Sequence, residues 1–190
     1  MKVLKFGGTS VGSADSIKKV MDIIADYDKR GTKLAVAFSA MGGVTNQLIE
    51  LGELASKTDK KYLELLKEFE ERHIRTVQDL VTIKEQSRVL GHIQMIMNEL
   101  EDLLHGISLI KELSLRSMDM IYSFGERLST YIIAQALRER GLETTFHDSR
   151  ELIKTDDRFG NARVNIDVTY ANIKSDIGSK KGVHLVTGFI

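Results

Sequence analysis

The chain opens Lys2-Val3-Leu4-Lys5-Phe6-Gly7-Gly8-Thr9-Ser10-Val11-Gly12, and its fold is decided where the apolar run breaks at Gly7-Gly8-Thr9-Ser10. A short strand that delivers a lysine into a glycine turn just before an amphipathic helix outlines a phosphate site. Glycines let the backbone approach an anion, the first helical turn has unpaired N–H groups, and the Lys5 ammonium adds positive potential. The chemistry predicted is phosphoryl transfer or phosphate binding, with a tight turn after an edge strand as the plainer alternative. No Gly-Lys-Ser/Thr follows at Walker A spacing, and the dinucleotide fingerprint Gly-x-Gly-x-x-Gly is absent.

Working outward, Ser13 or Asp15 can cap a helix whose apolar residues Ile17, Val20, Met21, Ile24 and Tyr27 keep helical spacing, and Gly31 ends it. Leu34 to Phe38 reads as a buried strand. The β-α-β order implies a parallel pair with a right-handed crossover, so the expected class is α/β, a mainly parallel sheet flanked by helices. Ligands of such sheets gather at the carboxyl ends of the strands. The second strand runs into Ser39-Ala40-Met41-Gly42-Gly43-Val44-Thr45-Asn46, another small-residue turn on the same edge, and then a helix with Leu48, Leu51, Leu54 and Ala55.

Residues 59–111 form a long helical excursion with one stripe of Tyr62, Leu66, Phe69 and His73 and a second of Leu90, Ile93, Met97, Leu100 and Leu104. The charges between them read as solvated faces, so this hairpin is expected to carry no chemistry of its own. From Ser114 a further helix carries Met118, Ile121, Tyr122, Leu128, Ile132 and Leu137 and closes near Gly141. Gly125 beside Glu126 is out of place there: it costs about 1 kcal/mol of helix propensity unless close packing or ligand approach compensates. Glu143 to His147 and Val183 to Thr187 are predicted strands, Asp167 to Ile177 a helix, and Thr155 to Arg163 a loop.

Lysine plus arginine equals aspartate plus glutamate at 27 each, so no basic face for nucleic acid is expected. The absence of cysteine excludes disulfides, thiolate nucleophiles and Cys-ligated zinc. The five histidines lack ligand spacing, and no protein metal site is expected. The lack of cysteine predicts a reducing cytoplasm, and no apolar run approaches the ~20 residues of a membrane helix, so no membrane partner is expected. The sequence stops at Thr187-Gly188-Phe189-Ile190, straight after a strand and with no polar tail, as a cut chain would.

Lys5-Phe6-Gly7-Gly8-Thr9-Ser10, Ser39 to Asn46 and Phe124 to Thr130, with Thr155-Asp156-Asp157-Arg158-Phe159-Gly160 and Thr187-Gly188-Phe189-Ile190, together resemble the aspartate kinases of the amino acid kinase family. The resemblance runs the whole chain in the family's order. It implies a three-layer sandwich and transfer of the γ-phosphoryl group of MgATP to the side-chain carboxylate of L-aspartate, the first step toward lysine, threonine and methionine. ATP and Mg2+ are the implied cofactors, the metal held mainly by phosphates. A carboxylate with a pKa near ~4 is already ionised and needs no general base. What it needs is help in approaching a polyanion, through positioning and cation placement.

By that resemblance, Lys5 bridges the phosphates, with the Gly7 and Gly8 backbone as donors and Thr9 and Ser10 completing the phosphate turn. Ser39 and Thr45 bond the substrate carboxylates, Glu126 pairs with its α-ammonium, and Phe189 walls the amino acid pocket. The plainer roles are a helix cap for Ser39 and Thr45, an exposed charge for Glu126 and ordinary core for Phe189. Family members continue into a Gly-Arg-Gly-Gly-Ser-Asp segment, a nucleotide lobe, a regulatory ACT portion and, in some, homoserine dehydrogenase, none of which this sequence contains. Residues 1–190 are therefore expected to be the amino-terminal, amino acid substrate lobe, inactive alone and prone to form a homo-oligomer through exposed apolar surface. The alternatives are a glutamate or carbamate kinase of the same family, a non-catalytic amino acid or anion binding module, and a helical interaction domain built on residues 59–111.

Overall fold

Four parallel strands, β1 (Lys2–Phe6), β2 (Leu34–Phe38), β3 (Thr144–His147) and β4 (Val183–Thr187), lie in the order β1-β2-β4-β3 in a computed structural model of the chain. It describes residues 1–178 and 180–189, so Ile190 of the terminal Thr-Gly-Phe-Ile segment lies outside the described residues. Registered partners in parallel strands point to the same face. The row Leu4, Val36, Leu185, Phe146 therefore enters the main core, and the row Lys5, Ala37, Val186, His147 lies on the opposite face.

Helix α1 (Ala14–Lys29) begins at Ser13, whose hydroxyl accepts the Ser16 N–H at 3.2 Å, and ends before Gly31, whose φ of +69° only glycine adopts freely. The next helices are α2 (Val44–Ser56), α3 (Lys61–Leu80), α4 (Ile83–Ile110) and α5 (Leu115–Glu139), the last capped by Ser114. The expected hairpin is thus α3 and α4. Its stripes of Tyr62, Leu66, Phe69, His73 and of Ile93, Met97, Leu100, Leu104 are buried in one core shared with α1, α2 and α5.

Beyond β3 comes a four-residue turn of helix, α6 (Ser149–Leu152), too short for any periodicity to announce. Helix α7 (Ile166–Ile173), capped by Asn165, relaxes into a π-helical turn at Lys174–Gly178, so the predicted helix is present with a loosened last turn. The polar Thr155 to Arg163 segment is a loop whose base is pinned by an antiparallel bridge from Thr155 to Val164.

Strand order explains the layers. The step from β1 to β2 places α1 on one face, while the return from β3 back to β4 reverses direction, so the same right-handed rule sends α6 and α7 to the other. There Leu152, Ile153, Ile173 and Ile177 line an apolar cleft of about 220 Å³ with Ala35, Ala37 and Val186. Val3 at the edge remains 73% exposed. The chain leaves β2 and β3 toward opposite faces, so the carboxyl end of β4 sits between diverging connections, where sheets of this class collect ligands. Among the described residues no helix is long and apolar enough to cross a membrane.

Candidate active site

The carboxyl ends of β1, β2 and β4 are tied edge to edge. Past the strands proper, the Ser39 N–H donates to Phe6 O at 3.0 Å and the Gly188 N–H to Phe38 O at 2.8 Å. A Cβ on Gly188 would lie 2.6 Å from Phe38 O, so only glycine allows this approach. After β1 the Ser10 N–H donates to Gly7 O at 2.9 Å and folds the turn back on itself. This brings Gly8 against the turn after β2, where an added Cβ would be 3.1 Å from Ala40 O. The two small-residue turns read from the sequence are therefore in backbone contact.

Helix α5 completes the group. A Cβ on Gly125 would lie 2.6 Å from Ala40 Cβ and 3.0 Å from Val44 Cγ1, so the out-of-place glycine is explained by packing against the second turn. The next residue, Glu126, is half-buried, and its carboxylate accepts the Ala40 N–H. Burial raises the Glu126 pKa, and the bonds from Ala40 and from its own N–H oppose the rise. Ser129 Oγ donates to Ser39 O at 2.9 Å and fastens the helix to the end of β2. Ala40 is thus the point where the first turn, the second turn and α5 meet.

The other sequence candidates stand around it. Lys5 is exposed at the end of the edge strand and forms no hydrogen bond or ion pair among the described residues. The hydroxyls of Thr9, Ser10, Ser39 and Thr45 are likewise without partners there. Thr45 is exposed in the first turn of α2, whose N-cap is Gly43 at φ +84° with no side-chain cap, so neither Ser39 nor Thr45 spends its hydroxyl on capping. Phe189 stands edge-on to Tyr122 at 5.6 Å and lines a cleft of about 320 Å³ with Asp119, Thr155, Gly160, Asn161 and Gly188. The loop wall of that cleft is held by the Gly160 N–H donating to Asp119 Oδ2 at 2.7 Å and by Arg116 lying over the Phe159 ring at 5.5 Å. Lys5 and the glycines at 7 and 8 line neither this cleft nor the adjoining one of about 380 Å³ beside Arg116, Ser123, Arg150 and Lys154.

Three arrangements escaped the sequence reading. Arg127, next to Glu126, is 7% exposed; it pairs with Glu99 at 2.6 Å and Asp148 at 3.7 Å and lies over the Phe124 ring at 4.8 Å. Burial alone would raise Asp148, but Arg150 and Arg127 together hold its carboxyl below the ordinary value. The signal was there, since Phe124 and Tyr131 at i−3 and i+4 place Arg127 on an apolar stripe. His147 Nε2 and His184 Nδ1 meet at 3.0 Å on the face opposite the main core, a diagonal pair that depends on strand order. Burial lowers both histidines, His147 to about 4. Finally, Arg72 leaves α3 to donate to Gly42 O at 2.7 Å, so the excursion read as free of chemistry touches the site after all. No group of three or more His, Asp and Glu side chains that could hold a metal ion occurs among the described residues.

The amino acid kinase family model matches residues 1–190. The chain is 38% identical over 197 residues to aspartokinase 1, chloroplastic, of Arabidopsis thaliana, covering 99% of this chain and 33% of that protein. It is 29% identical over 196 residues to the bifunctional aspartokinase/homoserine dehydrogenase 2, chloroplastic, of the same plant, covering 99% of this chain and 20% of the relative. The crystal structure of E. coli aspartokinase III in complex with aspartate and ADP superposes with a TM-score of 0.83 at 25% identity, over 97% of this chain and 40% of that one. The chain thus spans a third or less of the length of these curated relatives.

Proposed function

The chain belongs to the amino acid kinase family, and from that premise we propose that it carries the acceptor side of an aspartate kinase, which moves the γ-phosphoryl group of ATP to the β-carboxylate of L-aspartate to give 4-phospho-aspartate. One observation carries the reading: segments far apart in sequence, Gly7-Gly8, Ser39 to Thr45 and Gly125-Glu126, converge on Ala40 at the ligand-collecting edge of the sheet. The relatives described above, named as aspartokinases, support the choice of acceptor.

In this reading the acceptor carboxylate arrives ionised, so no residue abstracts a proton. Ser39 and Thr45, whose hydroxyls are unspent, hold the substrate carboxylates together with the uncapped start of α2. Glu126 takes the α-ammonium, which offsets the cost of burying its charge. Phe189, braced by Tyr122, walls the amino acid. Lys5 and the Gly7 and Gly8 amides face the phosphates, where an ammonium without a counter-ion among the described residues lowers the repulsion between two anions that must meet. Mg2+ arriving with ATP would be held mainly by its phosphates.

A coupled assay of aspartate-dependent ADP release by the full-length protein tests the proposal. Lys5→Ala is expected to lower kcat by about 10²- to 10³-fold, as loss of one charge-stabilising donor does, with a smaller change in the KM for aspartate. Glu126→Ala is expected to act mainly through that KM. Turnover with glutamate but not aspartate, or wild-type kcat in Lys5→Ala, would overturn the assignment.

A further inference from the structure

The α3–α4 hairpin sends one side chain out of its own packing toward the carboxyl edge. Arg72 Nη2 donates to Gly42 O at 2.7 Å and lies 3.4 Å from Gly12 O. These carbonyls belong to different turns, the one after β1 and the one after β2. The turns meet backbone to backbone: a Cβ on Gly12 would be 3.2 Å from Gly8 O and 3.8 Å from Gly42 N, and one on Gly42 would be 3.3 Å from Gly8 O. No side chain can interlock across such a contact, and neighbouring carbonyl dipoles repel. One guanidinium nitrogen reaching both oxygens supplies the missing attraction and fixes their spacing, because Nη2 carries two N–H groups in a fixed plane, one for each acceptor.

The arginine is itself held. Thr76 Oγ1 donates to Arg72 O at 2.9 Å and lies 3.7 Å from Met41 Sδ, so α3 touches the second turn at a further point. Next to Arg72, His73 is fully buried with its Nδ1 2.7 Å from Phe69 O, which anchors this turn of the helix in the core. We propose that Arg72 is a positioning residue: it couples the helical hairpin to the two glycine turns and sets the distance between the phosphate-facing turn and the acceptor-facing one. Arg72 acts through the turns and contacts neither reactant. The inference rests on the phosphoryl-transfer reading of those turns.

In the full-length protein, Arg72→Ala is expected to lower kcat by up to about 10²-fold, the scale of an ångström-sized misplacement, with KM values for aspartate and ATP little changed. Added guanidinium ion should restore part of that kcat in Arg72→Ala and not raise it in wild type. Arg72→Lys should fall between, since its ammonium sits on a shorter stem and does not hold two N–H groups in a fixed plane. A folded Arg72→Ala protein with wild-type kcat, a loss confined to KM, or no rescue would overturn the proposal. If Arg72→Ala does not fold, Arg72→Lys decides, and wild-type kcat there also overturns it. Amide exchange supplies an arm independent of turnover: residues 7–12 and 42–44 should exchange faster in Arg72→Lys than in wild type, and unchanged exchange removes the brace whatever the activity. If instead Lys5→Ala keeps full turnover, the phosphoryl-transfer reading fails while the exchange result still stands on its own.

Discussion

The helical body and the carboxyl edge of the sheet are held together by opposite means. In the body, Phe69, Leu100, Leu104 and Ile93 are buried to 1% exposure or less, and side chains interlock from five helices. At the edge, Gly8, Gly12 and Gly42 bring backbone against backbone, while Lys5, Thr9, Ser39 and Thr45 have no side-chain partner among the described residues. Rigidity that comes from close backbone approach leaves polar side chains free for a ligand. Stability should therefore reside in the body and activity at the edge, and substitutions can separate the two.

The largest effect expected is in the body. Phe69→Ala should cost about 3–5 kcal/mol of stability, since it removes a wholly buried ring against His73 at 4.4 Å, and urea unfolding would show it. Lys5→Ala should mirror it at the edge, losing turnover with an unchanged unfolding midpoint. If Lys5→Ala destabilises as Phe69→Ala does, the separation is wrong.

Acid sharpens the comparison next. Burial lowers His73 to about 4 from 6.5, so between these values the unfolded chain holds a proton that the folded chain refuses. Stability is then complete above the unfolded value and is lost as pH falls toward the folded one, at up to about 1.4 kcal/mol per pH unit for one such group. His73→Leu should flatten the loss between neutral pH and mild acid in urea titrations; an equally steep profile would assign the acid sensitivity elsewhere, with His147 the next group to test.

Gly125→Ala probes the boundary between the regions. Its Cβ would strike Ala40, which cannot swing away, so overpacking of about 1–3 kcal/mol should outweigh the ~1 kcal/mol gained in helix propensity. The variant should also raise the KM for aspartate, because Ala40 holds Glu126. An unfolding midpoint at or above wild type would mean that the turn yields. The smallest effect belongs to the surface: Asp22→Asn breaks a 2.6 Å pair with Arg140, yet Asp22 is 71% exposed and the change should stay within about 1 kcal/mol.

Much of this was legible beforehand, for identifiable reasons. The Gly7 turn, the Ser13 cap and the stripes of α1, α3 and α4 are local patterns, and Gly125 was conspicuous because a helix disfavors it. Arg72 and Glu99 were read as solvated charge because nothing within a few residues marks them otherwise. Their partners lie 30 and 28 residues away, at Gly42 and Arg127. The four-residue α6 and the π-helical turn after α7 were beyond the resolution of any period.

The sequence by itself determined the α/β class and marked most of the longer elements, since spacing and caps act within a turn or two of helix or along one strand, and its motifs carried the resemblance to the family. The tertiary structure alone decided the order β1-β2-β4-β3, the convergence on Ala40, the His147–His184 contact and the reach of Arg72. Apolar periodicity states which side of an element must be covered, and not which distant element will cover it; that choice is settled only when the whole chain packs at once.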